Sequence, residues 1–258
     1  MSVVEQAVYP TQRTPLRAEL TNLLKNAPTR TINGEIQAII VPDTNKIEGG
    51  YVAADVYKCL EGRRYDSVVL ISPSHSGPFR RITICKLDNY QTPLGELTID
   101  DRLRNELCDE DDDIYLDDRG HFHTDGIDVQ LPFLQTVLEP GFGIVPVVMG
   151  DETPEFCREL GHAVGEVMYN RRTLVVASAD IVGGTDEALS QFKQHFENRD
   201  IPRLMSLLNS NAVNVEGKGP LLVALIAALE RRAAHADILR LQPPRETGTG
   251  SLGAVIWR

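Results

Sequence analysis

Four short, mostly apolar runs rich in β-branched residues set the first limit on what this chain can fold into: 36–41, 68–71, 143–149 and 174–177. A strand with one wet face would alternate apolar with polar residues. The run 68–71 does not, so it reads as a strand covered on both faces, the habit of parallel sheets, and the other three read as further apolar or buried strands. Between them lie stretches of helical spacing. Val52, Ala53, Val56, Tyr57 and Leu60 line one face after Gly49 and Gly50, and Pro154 opens a helix over 154–168. Pro15 with Leu16, Leu20, Leu23 and Leu24 predicts a first helix, and others are expected at 127–137 around Pro132, 187–196, 202–208 and 220–232. Segment 81–86, the Thr92-Pro93-Leu94-Gly95 turn and segment 253–257 give weaker strand signals, the last closing the sheet. Strand, helix, strand in this order favours parallel pairing through crossover helices. The expectation is an α/β fold: a single three-layer domain over 1–258, with a central, mostly parallel sheet flanked by helices.

With 258 residues, 42% of them apolar, the chain can bury a large core. Its formal net charge of −11, with no basic stripe, argues against a nucleic-acid partner or an anionic membrane. No apolar run reaches the ~18 residues of a membrane span, and 1–18 lacks the apolar region of a leader, so a cytoplasmic protein is expected. Cys59, Cys85, Cys108 and Cys157 occur singly, which suits reduced thiols better than a disulfide framework or structural zinc. The acidic run 109–113 lacks the glycine and spacing of a calcium loop and reads as a solvated loop. Thr247-Gly248-Thr249-Gly250-Ser251 lacks the lysine of a phosphate loop and leads into a strand, which disfavours nucleotide binding. Ser72, Ser74, Ser76 and Ser178 sit in no Gly-x-Ser-x-Gly elbow, so a serine hydrolase is not indicated.

The run 68–71 delivers Ser72-Pro73-Ser74-His75-Ser76 past its carboxyl end. In open α/β sheets ligands bind at such ends, so His75 is the best single pointer to a site. The plain alternative is a loop histidine with an ordinary hydrogen bond. His121 and His123 flank Phe122 and read either as a metal-ligating pair or as surface loop histidines beside the acidic run. His162 and His235 fall in helical stretches as packing or surface residues, and His195 carries no partner signal.

Several segments, in order, resemble the Memo family, which is similar in fold to class III extradiol ring-cleaving dioxygenases. They are Ala7-Val8-Tyr9-Pro10, Pro73-Ser74-His75, Thr92-Pro93-Leu94-Gly95 with Asp100, residues 130–134 (Gln-Leu-Pro-Phe-Leu), and Ser178-Ala179-Asp180. The resemblance implies metal ligands from three loops, and here the chain departs from the pattern. Asp43 of Pro42-Asp43-Thr44-Asn45-Lys46 stands where the family places its first histidine. His75 keeps the second position, and Glu216 of Val215-Glu216-Gly217-Lys218-Gly219-Pro220 takes the third, a cysteine in Memo proteins and a glutamate in the ring-cleaving enzymes. Asp125 replaces another family histidine, and Gly183 stands where the dioxygenases carry their general acid/base.

Two readings compete for Asp43, His75 and Glu216. They could hold iron, copper or zinc, or form ordinary ion pairs with Lys46 or Lys218. The resemblance therefore implies a divergent Memo-like protein with a dioxygenase-like cleft that binds a small molecule, a peptide or a protein partner, and that is compatible with a homo-oligomer. The alternative is a metal-dependent oxidoreductase or hydrolase in which Asp125, Asp128 or Asp180 serves as acid/base or supports a ligand.

Overall fold

The computed structural model describes residues 10–43, 47–108, 113–121, 125–244 and 249–258, without the side chains of Ile47, Glu48 and Asp125. In chain order the elements are α1 (Arg13–Asn26), β1 (Ile36–Val41), α2 (Ile47–Tyr57), β2 (Ser67–Pro73), β3 (Ile82–Ile84), β4 (Asn89–Thr92), β5 (Gly95–Thr98) and α3 (Asp101–Leu107). They continue with β6 (Ile114–Leu116), α4 (Asp125–Asp128), α5 (Leu131–Val137), β7 (Gly143–Met149), α6 (Pro154–Val167), β8 (Thr173–Ser178) and β9 (Asp180–Gly184). The last are α7 (Asp186–Glu197), α8 (Ile201–Asn209), β10 (Val213–Glu216), α9 (Lys218–Glu230), β11 (His235–Gln242) and β12 (Ser251–Trp257).

Eight strands form one sheet in the order β11-β12-β1-β8-β2-β7-β3-β6. Its centre, β1, β8, β2 and β7, is parallel throughout, and β12 and β3 flank it antiparallel. These four centre strands are the four apolar runs of the sequence. Their residues alternate between two cores: Val69, Ile71, Val145, Val147, Val175 and Ala177 face one, Val68, Leu70, Ile144, Val148, Leu174 and Val176 the other. Helices α6 to α9, with α3, cover the first side, and α1, α2 and α5 the second. The expected three layers are thus explained residue by residue, with each fully buried aliphatic side chain contributing roughly 1.5–3 kcal/mol.

Helix α9 is apolar all round and buried from Gly219 to Ala228. It lies so close to α6 that a Cβ on Gly161 would sit 2.7 Å from Ile226 and one on Gly165 2.6 Å from Glu230, which is why small residues recur on that face of α6. No helix among the described residues is long and apolar enough to cross a membrane.

Some expectations are corrected. The helix foreseen over 127–137 is two helices, because α4 ends at Asp128 and Pro132 sits in the first turn of α5, where its missing N–H costs nothing. Gly49 and Gly50 lie inside α2, not before it. The last strand does not close the sheet: β12 is sandwiched between β1 and β11. His235 is no helical residue, since it opens β11 and stacks on Trp257 with ring centroids 5.0 Å apart. His121 is not a surface residue; it is 4% exposed, with Nε2 3.2 Å from the Thr83 carbonyl. The acidic run at 109–112, together with Phe122, His123, Lys46, Ala7-Val8-Tyr9, Thr247 and Gly248, lies outside the described residues.

Candidate metal centre

Past the carboxyl end of the parallel strands, three loops converge. The β1 loop begins at Pro42, whose carbonyl accepts from Gln130 Nε2 at 2.9 Å, and Gln130 Oε1 in turn accepts from Tyr57 Oη at 2.9 Å. Ser178 Oγ donates to the Gly126 carbonyl at 2.8 Å, and Ala179 N to the Val41 carbonyl at 2.9 Å. The buried amide and hydroxyls therefore tie the ends of β1 and β8 to the α4–α5 break, each polar group finding a partner. Gly126 lies against this floor so closely that a Cβ would collide with Asp43 Oδ1 and Ser72 Oγ.

Asp43 is fully buried. Ser72 Oγ approaches its Oδ1 at 3.5 Å, and His75 Nε2 lies 2.7 Å from its Oδ2. Despite that distance, no donor among the described residues is aligned on Oδ2 as a hydrogen bond. The other ring nitrogen, Nδ1, lies 3.7 Å from Glu216 Oε1. His75 thus sits between two carboxylates, one buried and one, Glu216, 42% exposed. One ligand atom from each of Asp43, His75 and Glu216 can be chosen so that all lie within 4.8 Å of one another.

Donors bound to one ion at about 2.1 Å lie no more than roughly 4.2 Å apart. The 4.8 Å limit on the three chosen atoms is close to that span. Two oxygens and one imidazole nitrogen are a hard-to-borderline donor set, suited to manganese, iron or zinc. The buried, unaligned Oδ2 is the feature a cation would satisfy, so the residues fit such an ion.

The other expected residues divide. Asp180 is fully buried at the start of β9 and is in register with Glu216 of β10, so it borders the triad. Asp128 accepts a short hydrogen bond from Tyr90 Oη and ties the β4–β5 hairpin to α4. Burial, reinforced by Asp128, holds the Tyr90 hydroxyl protonated. Asp125 opens α4, its side chain outside the description. Asp100, part of the Thr-Pro-Leu-Gly segment, is structural: its side chain caps α3 by accepting from Leu103 N at 2.9 Å.

Sequence reasoning missed Glu152. It follows β7, and its Oε2 accepts from Gly219 N at 2.8 Å. Burial pushes its carboxyl up to about 7; the Gly219 amide and Lys218 oppose this, while the charges of Asp43 and Glu216 add to it. The signal was a helix start at Gly217 and Pro220 with no local cap.

Comparison with known proteins agrees with this architecture. The family model described as Memo-like protein matches residues 6–247. A MEMO1 family protein of Nitrosopumilus maritimus is 25% identical over 246 residues, covering 92% of this chain and 90% of its own length. MEMO1 family proteins of Saccharolobus islandicus (strain M.14.25) and Saccharolobus solfataricus are 33% and 31% identical over 234 residues, covering 83% of this chain and 81% of theirs. Among solved structures, the uncharacterized protein JW3007 from Escherichia coli K12 shares the fold, with a TM-score of 0.54 and 15% identity over 86% of this chain and 100% of that one. With a family model spanning residues 6–247 and relatives 31–33% identical over 83% of the chain, the chain belongs to the Memo-like protein family.

Proposed function

We propose that the cleft binds one divalent cation through Asp43, His75 and Glu216, and that the held ion presents open positions to a small-molecule or peptide ligand. The observation that carries this reading is Asp43 Oδ2, fully buried and facing His75 at 2.7 Å without an aligned donor. A buried carboxylate is costly unless a cation or strong donors compensate it, and among the described residues no hydrogen-bond donor is aligned on this oxygen. When bound, the ion would supply Lewis-acid polarisation of a ligand oxygen. Asp43 and Glu216 would hold it, His75 would fix its position between them, and Asp180 would accept or return a proton beside Glu216. Among the described residues no second histidine joins the triad, and Gly183 leaves the family's proton-transfer position without an ionisable group. That shortage favours ligand binding over ring-opening turnover; a metal-dependent oxidoreductase or hydrolase using Asp180 is the enzymatic alternative.

A second reading rests on the two ring nitrogens facing different carboxylates: a protonated His75 could bridge Asp43 and Glu216 with no metal. Calorimetric titration of chelator-stripped protein with Mn²⁺, Fe²⁺ and Zn²⁺ separates the two. The metal reading expects one ion per chain, lost in His75→Ala and Asp43→Asn. No uptake of any of the three, with both ring nitrogens protonated by NMR at neutral pH, supports the bridge and overturns it.

A further inference from the structure

Glu216 stands on the threshold of α9, and that helix cannot cap its own start. Its N-cap, Gly217, has φ 77°, and a Cβ there would collide with the Ser178 carbonyl, so both backbone conformation and space demand glycine. A glycine N-cap has no side chain with which to accept the first amides of the helix. Pro220, in the first turn, has no amide to offer. Of the first-turn amides of Lys218 and Gly219, that of Gly219 is accepted by Glu152 Oε2 at 2.8 Å, from the loop after β7. Space around that bond is equally restricted, since a Cβ on Gly219 would stand 2.8 Å from Glu152 Cγ and 3.0 Å from Met149 Cε. A carboxylate at a helix N-terminus is also favoured by the macrodipole, which gives the contact an electrostatic component.

The consequence lies in what this bond connects. Strand β7 pairs with β2, whose extension carries His75, and Gly219 lies three residues beyond Glu216. One carboxylate thus locks the β7 loop to the turn that presents Glu216 to His75. We propose that Glu152 is a positioning residue for Glu216: by capping α9 from outside the helix it fixes the third donor of the cation site. This rests on the reading of Asp43, His75 and Glu216 as a metal centre.

Reach and charge are separated by two substitutions. Glu152→Gln keeps the length and an accepting oxygen but removes the charge; Glu152→Asp keeps the charge but falls one methylene short of Gly219. Mn²⁺ affinity is measured by calorimetry on folded, chelator-stripped protein, with thermal unfolding of the metal-free forms alongside. The expected result is at least a tenfold loss of affinity in Glu152→Asp and a change of less than threefold in Glu152→Gln. The reverse order would mean that Glu152 acts by its charge near the ion, and unchanged affinity in Glu152→Asp would mean that it only supports the fold; either overturns the proposal. Absence of Mn²⁺ binding by the wild-type protein overturns the metal centre itself, a failure distinct from these.

Discussion

The cleft and the β3–β6 edge each hold an ionisable side chain whose protonation burial shifts, Glu152 and His121, and they do so in opposite senses. Glu152 in the cleft is pushed up to about 7 by burial, so the fold holds its proton longer than an exposed glutamate would. His121 beside β3 is pushed down to about 4, again by burial, so the fold refuses its proton. Burial opposes charge in both cases; one group is an acid and the other a base, and the pH dependence inverts. Below pH 4.5 Glu152 is protonated in folded and unfolded chains alike, and stability is lost as the pH rises from there through 7. Above pH 6.5 His121 is neutral in both, and stability is lost as the pH falls from there through 4. Over the shared window the two oppose one another, and the wild-type protein should show a flattened profile.

The largest test of this contrast uses glycines. Gly217→Ala in the cleft forces a Cβ against a backbone carbonyl that cannot move, with φ 77° as a further penalty; a loss of about 3–4 kcal/mol is expected by urea unfolding. Gly120→Ala at the edge has φ 81° but meets side chains of Val148 and Phe79, which can shift, so about 1–2 kcal/mol is expected. Equal costs would show that the cleft turn is no more constrained than the edge. Next, His121→Gln should remove an acid-side loss of up to about 3 kcal/mol between pH 7.5 and 4, read from urea midpoints; an unchanged slope would place the titration elsewhere. Glu152→Gln in chelator-treated protein should raise stability by about 1–2 kcal/mol at pH 8 and by nothing near pH 4.5, and a gain at both pH values would contradict the proton linkage. The smallest effect is expected from Arg172→Ala. Its 3.2 Å pair with Asp66 is exposed on both sides, so a change below about 0.5 kcal/mol should appear.

How much was legible follows the same physics. Strands β1, β2, β7 and β8 announced themselves because burial on both faces leaves a largely apolar run without polar alternation. Strand β11 did not: it is exposed at His235, Asp237 and Leu239 in part or whole, and its mixed His-Ala-Asp-Ile-Leu-Arg pattern fits a helix equally well. The short β6, β9 and β10 carry too few residues for a periodicity. His75 was readable from its place after a buried strand, whereas Asp43 and Glu216 required the family resemblance, since no spacing links three loops so distant in sequence. Glu152 was illegible for a different reason. Its partner is a backbone amide on another element, and only the absence of a local cap at Gly217 hinted that one must come from elsewhere.

The antiparallel union of β1 with β12 joins Ile40 to Ala254, nearly the whole length of the chain apart. During synthesis the first strand of the parallel sheet therefore keeps one border of backbone N–H and C=O groups unpaired, between largely apolar faces, until β12 emerges. Such a chain closes late and depends on distant contacts, which slows folding and leaves the nascent border open to association with other chains.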